Sequence, residues 1–256
     1  MEVKLWIKKS VEENASHYFE ISKKSKKKLE GAKKALEISQ KKLEDELLKK
    51  QKIEEKQSKK EVDRKKHWYH KYRWFKTSEG FLVVGGRDAT TNEIIIKKHA
   101  DANDIVFHTD MAGSPFVVIK DGKNATEISL KEAADFTAAH SKGWKMGLAS
   151  LKVFHVNPEQ VTKEANSGEF LPKGSFMIRG KTNYIDPNMN YAIGLHEGFA
   201  MGGPVSAIKK HCENFIEIIQ GDEKTSDTAK KIKKVLSYED VDDIIRAIPI
   251  GCKIKK

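Results

Sequence analysis

The sequence predicts an α+β protein in which a long basic helical or coiled-coil arm precedes a compact mixed domain. Three observations carry that prediction. Residues 1–67 hold one glycine (Gly31), no proline and long Lys/Glu/Gln tracts, the composition of an extended helix. From Trp68 onward, short apolar runs alternate with glycine and proline turns, as in a folded body. Those runs mix strand-like and helix-like periods without a regular βαβ alternation, which argues against a doubly wound sheet.

Composition narrows the function. The 256 residues carry 48 Lys+Arg against 37 Asp+Glu, a formal net charge of +11, and 38% are hydrophobic. No apolar run approaches the ~18 residues of a spanning helix, so no membrane role is expected. Cys212 and Cys252 make neither a disulfide framework nor a zinc quartet, which fits a reducing, cytoplasmic setting. The charge is uneven. Residues 1–67 hold 21 Lys+Arg and 13 Asp+Glu, while the other 189 residues hold 27 and 24. The excess therefore lies mainly on the arm, where nucleic-acid phosphates are the expected counterpart.

In the arm, Leu29, Leu36 and Leu43 recur every seven residues, with Val11, Ala15 and Ala32 on the adjoining track. This is a coiled-coil stripe interrupted by Ser22, Ser25 and Ser39. A continuous helix over 10–66 would span roughly 85 Å; a break near Lys49–Gln51 would fold it into a hairpin, and both readings stand. In the body, Phe81–Gly86 reads as a strand and Thr91–Lys98 as a short helix or strand. Ile105–His108 and Phe116–Lys120 read as strands around a Gly-Ser-Pro turn. Ser129-Leu-Lys-Glu132 reads as a capping box opening a helix to about His140. Lys152–Val156 and Ser175–Arg179 read as further strands, and Ser226–Leu236 and Tyr238–Ala247 as helices. The expected division is 1–67 arm, 68–190 main domain, and 191–256 an extension packed on it.

Four motifs have chemistry to offer. GRDATTNE at 86–93 displays Arg87 and Asp88 at a strand end, with Asn92 behind them; Arg suits a phosphate and Asn a base edge. The alternative is an internal ion pair holding the turn. His108 and Asp110 sit two apart on a strand and so face one side, a geometry for acid/base pairs or metal ligands. Without a second ligand cluster, a structural role is the competing reading. In HSKGW at 140–144, Lys142 lies beside Trp144, either a stacking platform or a core ring. WYHKYRWF at 68–75 poses the same choice for its aromatics among Lys71 and Arg73. No Walker A, dinucleotide, G-x-S-x-G or HExxH pattern occurs, so no enzyme, cofactor or metal is expected.

WYHKYRWF, GFLVVGGRDATTNEIIIKKH, NDIVFHTDMAGSPFVVIK, HSKGW and VTKEANSGEFLPKGSFMIRGK together resemble the NFACT-R domain of the NEMF/RqcH ribosome quality control factors. NASHYFEISKKSKKKLEGAKKAL at 14–36 resembles that family's coiled-coil arm. The resemblance implies an RNA-binding module acting on stalled large ribosomal subunits that carry peptidyl-tRNA. The family's N-terminal domain and helix-hairpin-helix region have no counterpart here. The expectation is therefore arm plus C-terminal module, and a separately encoded N-terminal half becomes an expected partner. Ala112 stands where the family's turn usually has a second histidine, which removes one candidate ligand beside His108 and Asp110.

The expected function is RNA binding, to tRNA or large-subunit rRNA. Arg73, Arg87, Lys97, Lys98, Lys142 and Lys181 are expected on phosphates, Tyr69 and Trp144 as stackers. Asp88, Asn92, His108 and Asp110 are expected to shape the pocket. The alternative is a protein-interaction scaffold whose arm pairs with a separate half.

Overall fold

Ser10 starts the first helix with a reciprocal capping box: its hydroxyl accepts the Glu13 N–H at 3.2 Å, and Glu13 accepts the Ser10 N–H at 2.9 Å. The computed structural model describes residues 3–8, 10–60, 66–165 and 170–255, the side chains of residue 45 and of 47–60 excepted. Helix α1 (Val11–Lys60) runs without interruption through the Lys49–Gln51 position where the hairpin reading placed a break. The preceding residues turn back along its first turns. Buried Asn14 accepts the Trp6 N–H at 2.9 Å and donates to the Trp6 carbonyl, while the Tyr18 hydroxyl donates to the Lys4 carbonyl at 2.6 Å. Leu29, Leu36 and Leu43 are exposed.

The chain divides into two compact units, 1–64 and 65–256. In the second, a 3₁₀ turn at Trp68–Lys71 leads into β1 (Arg73–Lys76) and β2 (Leu82–Gly85). Helix α2 (Ala89–Ile94) continues as a π-helical segment to His99. Then follow β3 (Ile105–Thr109), β4 (Val117–Ile119), α3 (Glu127–Ala139), α4 (Lys142–Lys145) and β5 (Val153–Val156). A ribbon of β6 (Val161–Thr162) and β7 (Met177–Ile178) precedes β8 (Asn183–Ile185). Strands β1, β2, β4, β3, β5 and β8 form, in that order, an antiparallel sheet with Arg73 opposite Gly85 and Val106 between Val118 and Val156.

Residues after 190 build a second antiparallel sheet. It comprises β9 (Tyr191–His196), β10 (Phe199–Gly203), then α5 (Val205–His211), β11 (Phe215–Gln220), α6 (Thr225–Leu236), α7 (Val241–Ala247) and β12 (Cys252–Ile254). Its order is β10-β9-β11-β12. The two sheets share one core. Phe75 of the first sheet packs on Phe136 of α3 at 4.8 Å between centroids, and Phe136 in turn stacks on Tyr191 of the second at 6.3 Å. The observed class is thus α+β, as the mixed periods predict.

Helix α3 corrects the expected start. Thr126 is the N-cap and accepts the Ile128 N–H, so the helix nucleates three residues before Ser129. Ser129 and Glu132 are buried inside it instead, and Glu132 accepts from the Ser78 N–H and the Ser206 hydroxyl. The aromatic run WYHKYRWF is half strand: Trp74 and Phe75 lie in β1 with 4% and 0% exposure. No described helix is long and apolar enough to cross a membrane.

Candidate nucleic-acid interface

Three chain segments converge on a cleft of about 700 Å³. The first is the turn from β2 into α2. Asp88 caps α2 by accepting the Thr91 N–H at 2.8 Å, and the Thr91 hydroxyl accepts the N–H groups of Arg87 and Asp88 at 2.8 and 2.9 Å. This locks the turn and leaves Arg87 exposed. Asn92 folds back so closely that a Cβ at Gly86 would lie 1.9 Å from its Oδ1, so a larger residue there would push the Asn92 side chain aside. That Oδ1 accepts the Phe116 N–H at 3.2 Å, tying α2 to the entry of β4.

The second segment is the end of β3 and the turn after it. Thr109 donates its N–H to Ser114 and its hydroxyl to the Met111 carbonyl, which folds the turn over the strand end. Lys142 donates its backbone N–H to the Gly113 carbonyl at 2.8 Å, docking the start of α4 on that turn. Lys142 and Lys145 are one helical turn apart on α4 and both line the cleft. The third segment is the loop carrying Lys173. Glu93 holds it in place by accepting the Gly174 N–H at 3.0 Å and pairing with Lys163 at 2.7 Å. The Lys163 hydrogen bond and then the Gly174 N–H pull the Glu93 pKa down to about 2, so the clamp stays charged. Gly174 has φ +82°, and a Cβ there would meet Ala89 at 2.5 Å.

Arg73 and His140 line the same cleft from β1 and the end of α3. Arg73 donates to the Gly86 carbonyl at 3.0 Å, which spends one guanidinium donor and leaves the others. The Tyr191 hydroxyl donates to the Ala247 carbonyl at 2.6 Å, so it accepts from His140 Nε2–H at 2.9 Å. Burial, with Arg73 adding to it, holds the His140 pKa well below the usual range, and the ring is neutral.

Five cations, Arg73, Arg87, Lys142, Lys145 and Lys173, therefore face two carboxylates, Asp88 and Asp110. Both carboxylates have internal partners. The Thr91 N–H lowers the Asp88 pKa, and Asp110 accepts the Tyr184 hydroxyl at 3.2 Å. His108 is packed against Phe116 with 4.5 Å between centroids, and its Nδ1–H donates to the Thr109 carbonyl at 2.7 Å. Burial lowers its pKa. Among the described residues no three His, Cys, Asp or Glu side chains are grouped to hold a metal ion.

Of the residues expected from sequence, Arg73, Arg87, Asp88, Asn92, His108, Asp110 and Lys142 meet at this cleft. The other five lie outside its lining. Tyr69 is 8% exposed and stacked on His67, and Trp144 is 1% exposed with its Nε1–H donated to the Gly251 carbonyl. Both are core rings, so neither offers a face to a base: burial, which aromatic residues share with aliphatic ones, is the correction to the stacking expectation. Asn92 lines the cleft as expected, with its amide oxygen committed to the Phe116 N–H rather than to a base edge. Lys97 pairs with Glu93 at 3.4 Å, Lys98 is exposed at the far end of the same helix, and Lys181 is exposed, with its carbonyl accepting from Gln160. Lys145 and Lys173 join the lining without being expected there. Helical spacing from Lys142 signals the first, and a lysine between Pro172 and Gly174 signals the second.

Residues 71–180 match the family described as NFACT protein RNA binding domain. The Archaeal Rqc2 homolog aRqcH of Methanocaldococcus jannaschii is 38% identical over 209 residues, 78% of this chain and 31% of that protein. The human ribosome quality control complex subunit NEMF is 36% identical over 183 residues, 68% of this chain and 16% of its own length. The chain thus spans less than a third of either relative. The C-terminal part of the fibronectin/fibrinogen-binding protein from Streptococcus suis superimposes with a TM-score of 0.40 at 23% identity, covering 50% of this chain and 51% of that one. The cleft-forming segments from Arg73 to Ile178 all fall within the matched span, and this part of the chain carries the NFACT-R domain.

Proposed function

We propose that the chain is the RNA-binding module of a ribosome quality control protein, and that the cleft grips the phosphate backbone of tRNA or large-subunit rRNA. The carrying observation is the charge of the cleft: five cations from four separate segments, against two carboxylates that already have internal partners. Arg87, Lys142, Lys145 and Lys173 are exposed at its rim, where phosphates can reach them. The descriptions of the matched family and of its relatives support the same reading. The setting is the cytoplasm, where stalled ribosomal subunits are met.

The module binds and does not catalyse. His108, two residues before Asp110, has its Nδ1–H on a backbone carbonyl and its ring between aromatics. It orients the turn rather than relaying protons.

Filter binding of tRNA to the full chain across a salt series tests the proposal. Affinity is expected to fall steeply with salt, with a log–log slope of about −0.7 to −0.9 for each phosphate neutralised. Salt-independent or absent binding sinks it.

A second reading has its own observation. Leu29, Leu36 and Leu43 of α1 are 56%, 59% and 60% exposed at heptad spacing, a stripe that suits a helical protein partner such as a separately encoded N-terminal half. Light scattering on the chain alone and mixed with such a half separates the two: a stoichiometric complex through α1 supports the scaffold.

A further inference from the structure

Outside the cleft lining, a second aromatic and basic surface forms where the 3₁₀ turn at Trp68–Lys71 meets the end of the helix that begins after Asp88. The rings of Trp68 and His99 stack with centroids 4.1 Å apart and planes 12° from parallel. Tyr72 meets both edge-on, at 6.1 Å from Trp68 and 5.8 Å from His99, and is itself 1% exposed. The pair is therefore held by a core residue. Yet Trp68 is 39% exposed, against 4% for Trp74 and 1% for Trp144. Among the tryptophans of this unit it alone combines an ordered partner with access from outside.

Cations lie around its histidine partner. Lys71, Lys120 and Lys98 all lie near enough for their charges to act on His99, and Lys71 Nζ is 5.1 Å from the Tyr72 ring centroid. Lys120 is committed to Asp101 and Asp104. Lys71 and Lys98 form no ion pair among the described residues. A fixed indole with two such cations beside it has what an unpaired base and its flanking phosphates require.

We propose that Trp68, backed by His99, is a stacking platform for an unpaired base of single-stranded RNA, with Lys71 and Lys98 on the neighbouring phosphates. The proposal rests on the reading that the chain binds RNA and adds a contact selective for unpaired strand. A duplex keeps its bases inside the stack and gives the indole nothing to take. The sequence places Trp68 among five aromatics; only the structure separates the exposed ring from the buried ones.

Fluorescence anisotropy of the full chain, with a short labelled single-stranded RNA and the matching blunt duplex at one salt concentration, tests it. Trp68→Ala is expected to weaken single-strand binding roughly five- to hundredfold and to leave duplex binding unchanged. Trp68→Phe is expected to retain most of the affinity, because a phenyl ring still stacks. Trp68→Leu, which fills space without stacking, is expected to behave as the alanine variant and guards against a folding defect, as does an unchanged melting curve. Single-strand affinity within twofold of wild type in the alanine and leucine variants overturns the platform and assigns the ring to a protein contact. Equal losses on both RNAs overturn it too. Arg87→Ala with Lys142→Ala separates the two claims. If that pair weakens both RNAs while Trp68 variants do not, the cleft stands and the platform falls; if wild type binds neither RNA, both fall.

Discussion

Helix α1 and the cleft are both basic, but they are made basic in opposite ways. The lysines at 23–24, 26–28, 33–34 and 41–42 are neighbours in sequence, and a helix alone displays them. Arg73, Arg87, Lys142, Lys145 and Lys173 are distant in sequence and meet only because β1, α2, α4 and a Glu93-clamped loop are packed together. Charge on the first is a property of composition, and charge in the second is a property of the fold. Core damage should therefore disarm the cleft, whereas surface changes on α1 should leave the rest of the chain as it was.

The largest effect is expected from Trp144→Ala. The ring is 1% exposed and anchors α4, which carries Lys142 and Lys145, through its bond to the Gly251 carbonyl. Truncating a buried indole costs about 3–5 kcal/mol. Urea denaturation should show that loss, with a matching collapse of RNA affinity. A loss below about 1 kcal/mol means that the ring is not core, and the contrast with Trp68 dissolves.

A pH effect comes next, and it belongs to the buried part of the body. Burial, with His67 adding to it, lowers the His70 pKa to about 4 from a usual 6.5. The unfolded chain then binds more protons between those values, so stability from this group rises as pH goes from about 4 to 6.5. Asp135 works the other way. Burial raises its pKa to about 6, so the folded chain binds the extra proton and stability falls as pH climbs from about 4 to 6. The two contributions oppose each other, so thermal melts across that range should tilt downward with rising pH in His70→Phe and upward in Asp135→Asn. Unchanged profiles remove both groups from the pH dependence.

A smaller effect separates the two basic regions directly. Arg87→Ala with Lys142→Ala should make the salt slope of RNA binding shallower by about 0.7 for each phosphate that is no longer neutralised. Stability should stay within about 0.5 kcal/mol, since both side chains are exposed. Lys27→Ala with Lys34→Ala removes the same charge from α1. Equal effects of the two pairs would mean that composition, not the cleft, governs binding.

The difference between the regions also explains what is legible in the sequence. The helix, the strands Phe81–Gly86, Ile105–His108 and Lys152–Val156, and the two last helices follow from local period and turn residues, which act over a few positions. The hairpin of β9 and β10 is not among the expected elements, although its turn is marked by Glu197 and Gly198 at φ +51° and +81°, the left-handed pair that a two-residue hairpin needs. Asn92 shows the limit at the cleft. Its type and position suggest a base reader, and only the packing of Phe116 beside it reveals the amide oxygen as a structural link. Tyr69 and Trp68 are adjacent aromatic residues, each stacked on a histidine, yet one is 8% and the other 39% exposed; Tyr69 also packs on buried Trp74. Burial depends on partners far along the chain, and no local pattern encodes it.

The smallest effect is expected from Leu36→Ala on α1. The side chain is 59% exposed, so truncation removes little buried area, and alanine favours the helix more than leucine does. Stability of the chain alone should change by less than about 0.5 kcal/mol. The result bears on the contrast between the two regions, because a heptad leucine buried in solution by a second copy or a partner would behave as a core residue. A loss above about 1 kcal/mol, with a fall in the mass measured by light scattering, would make α1 an interface whose lysines flank a protein contact. An unchanged melt and mass leave α1 as a helix whose lysines from Lys23 to Lys42 are open to phosphate.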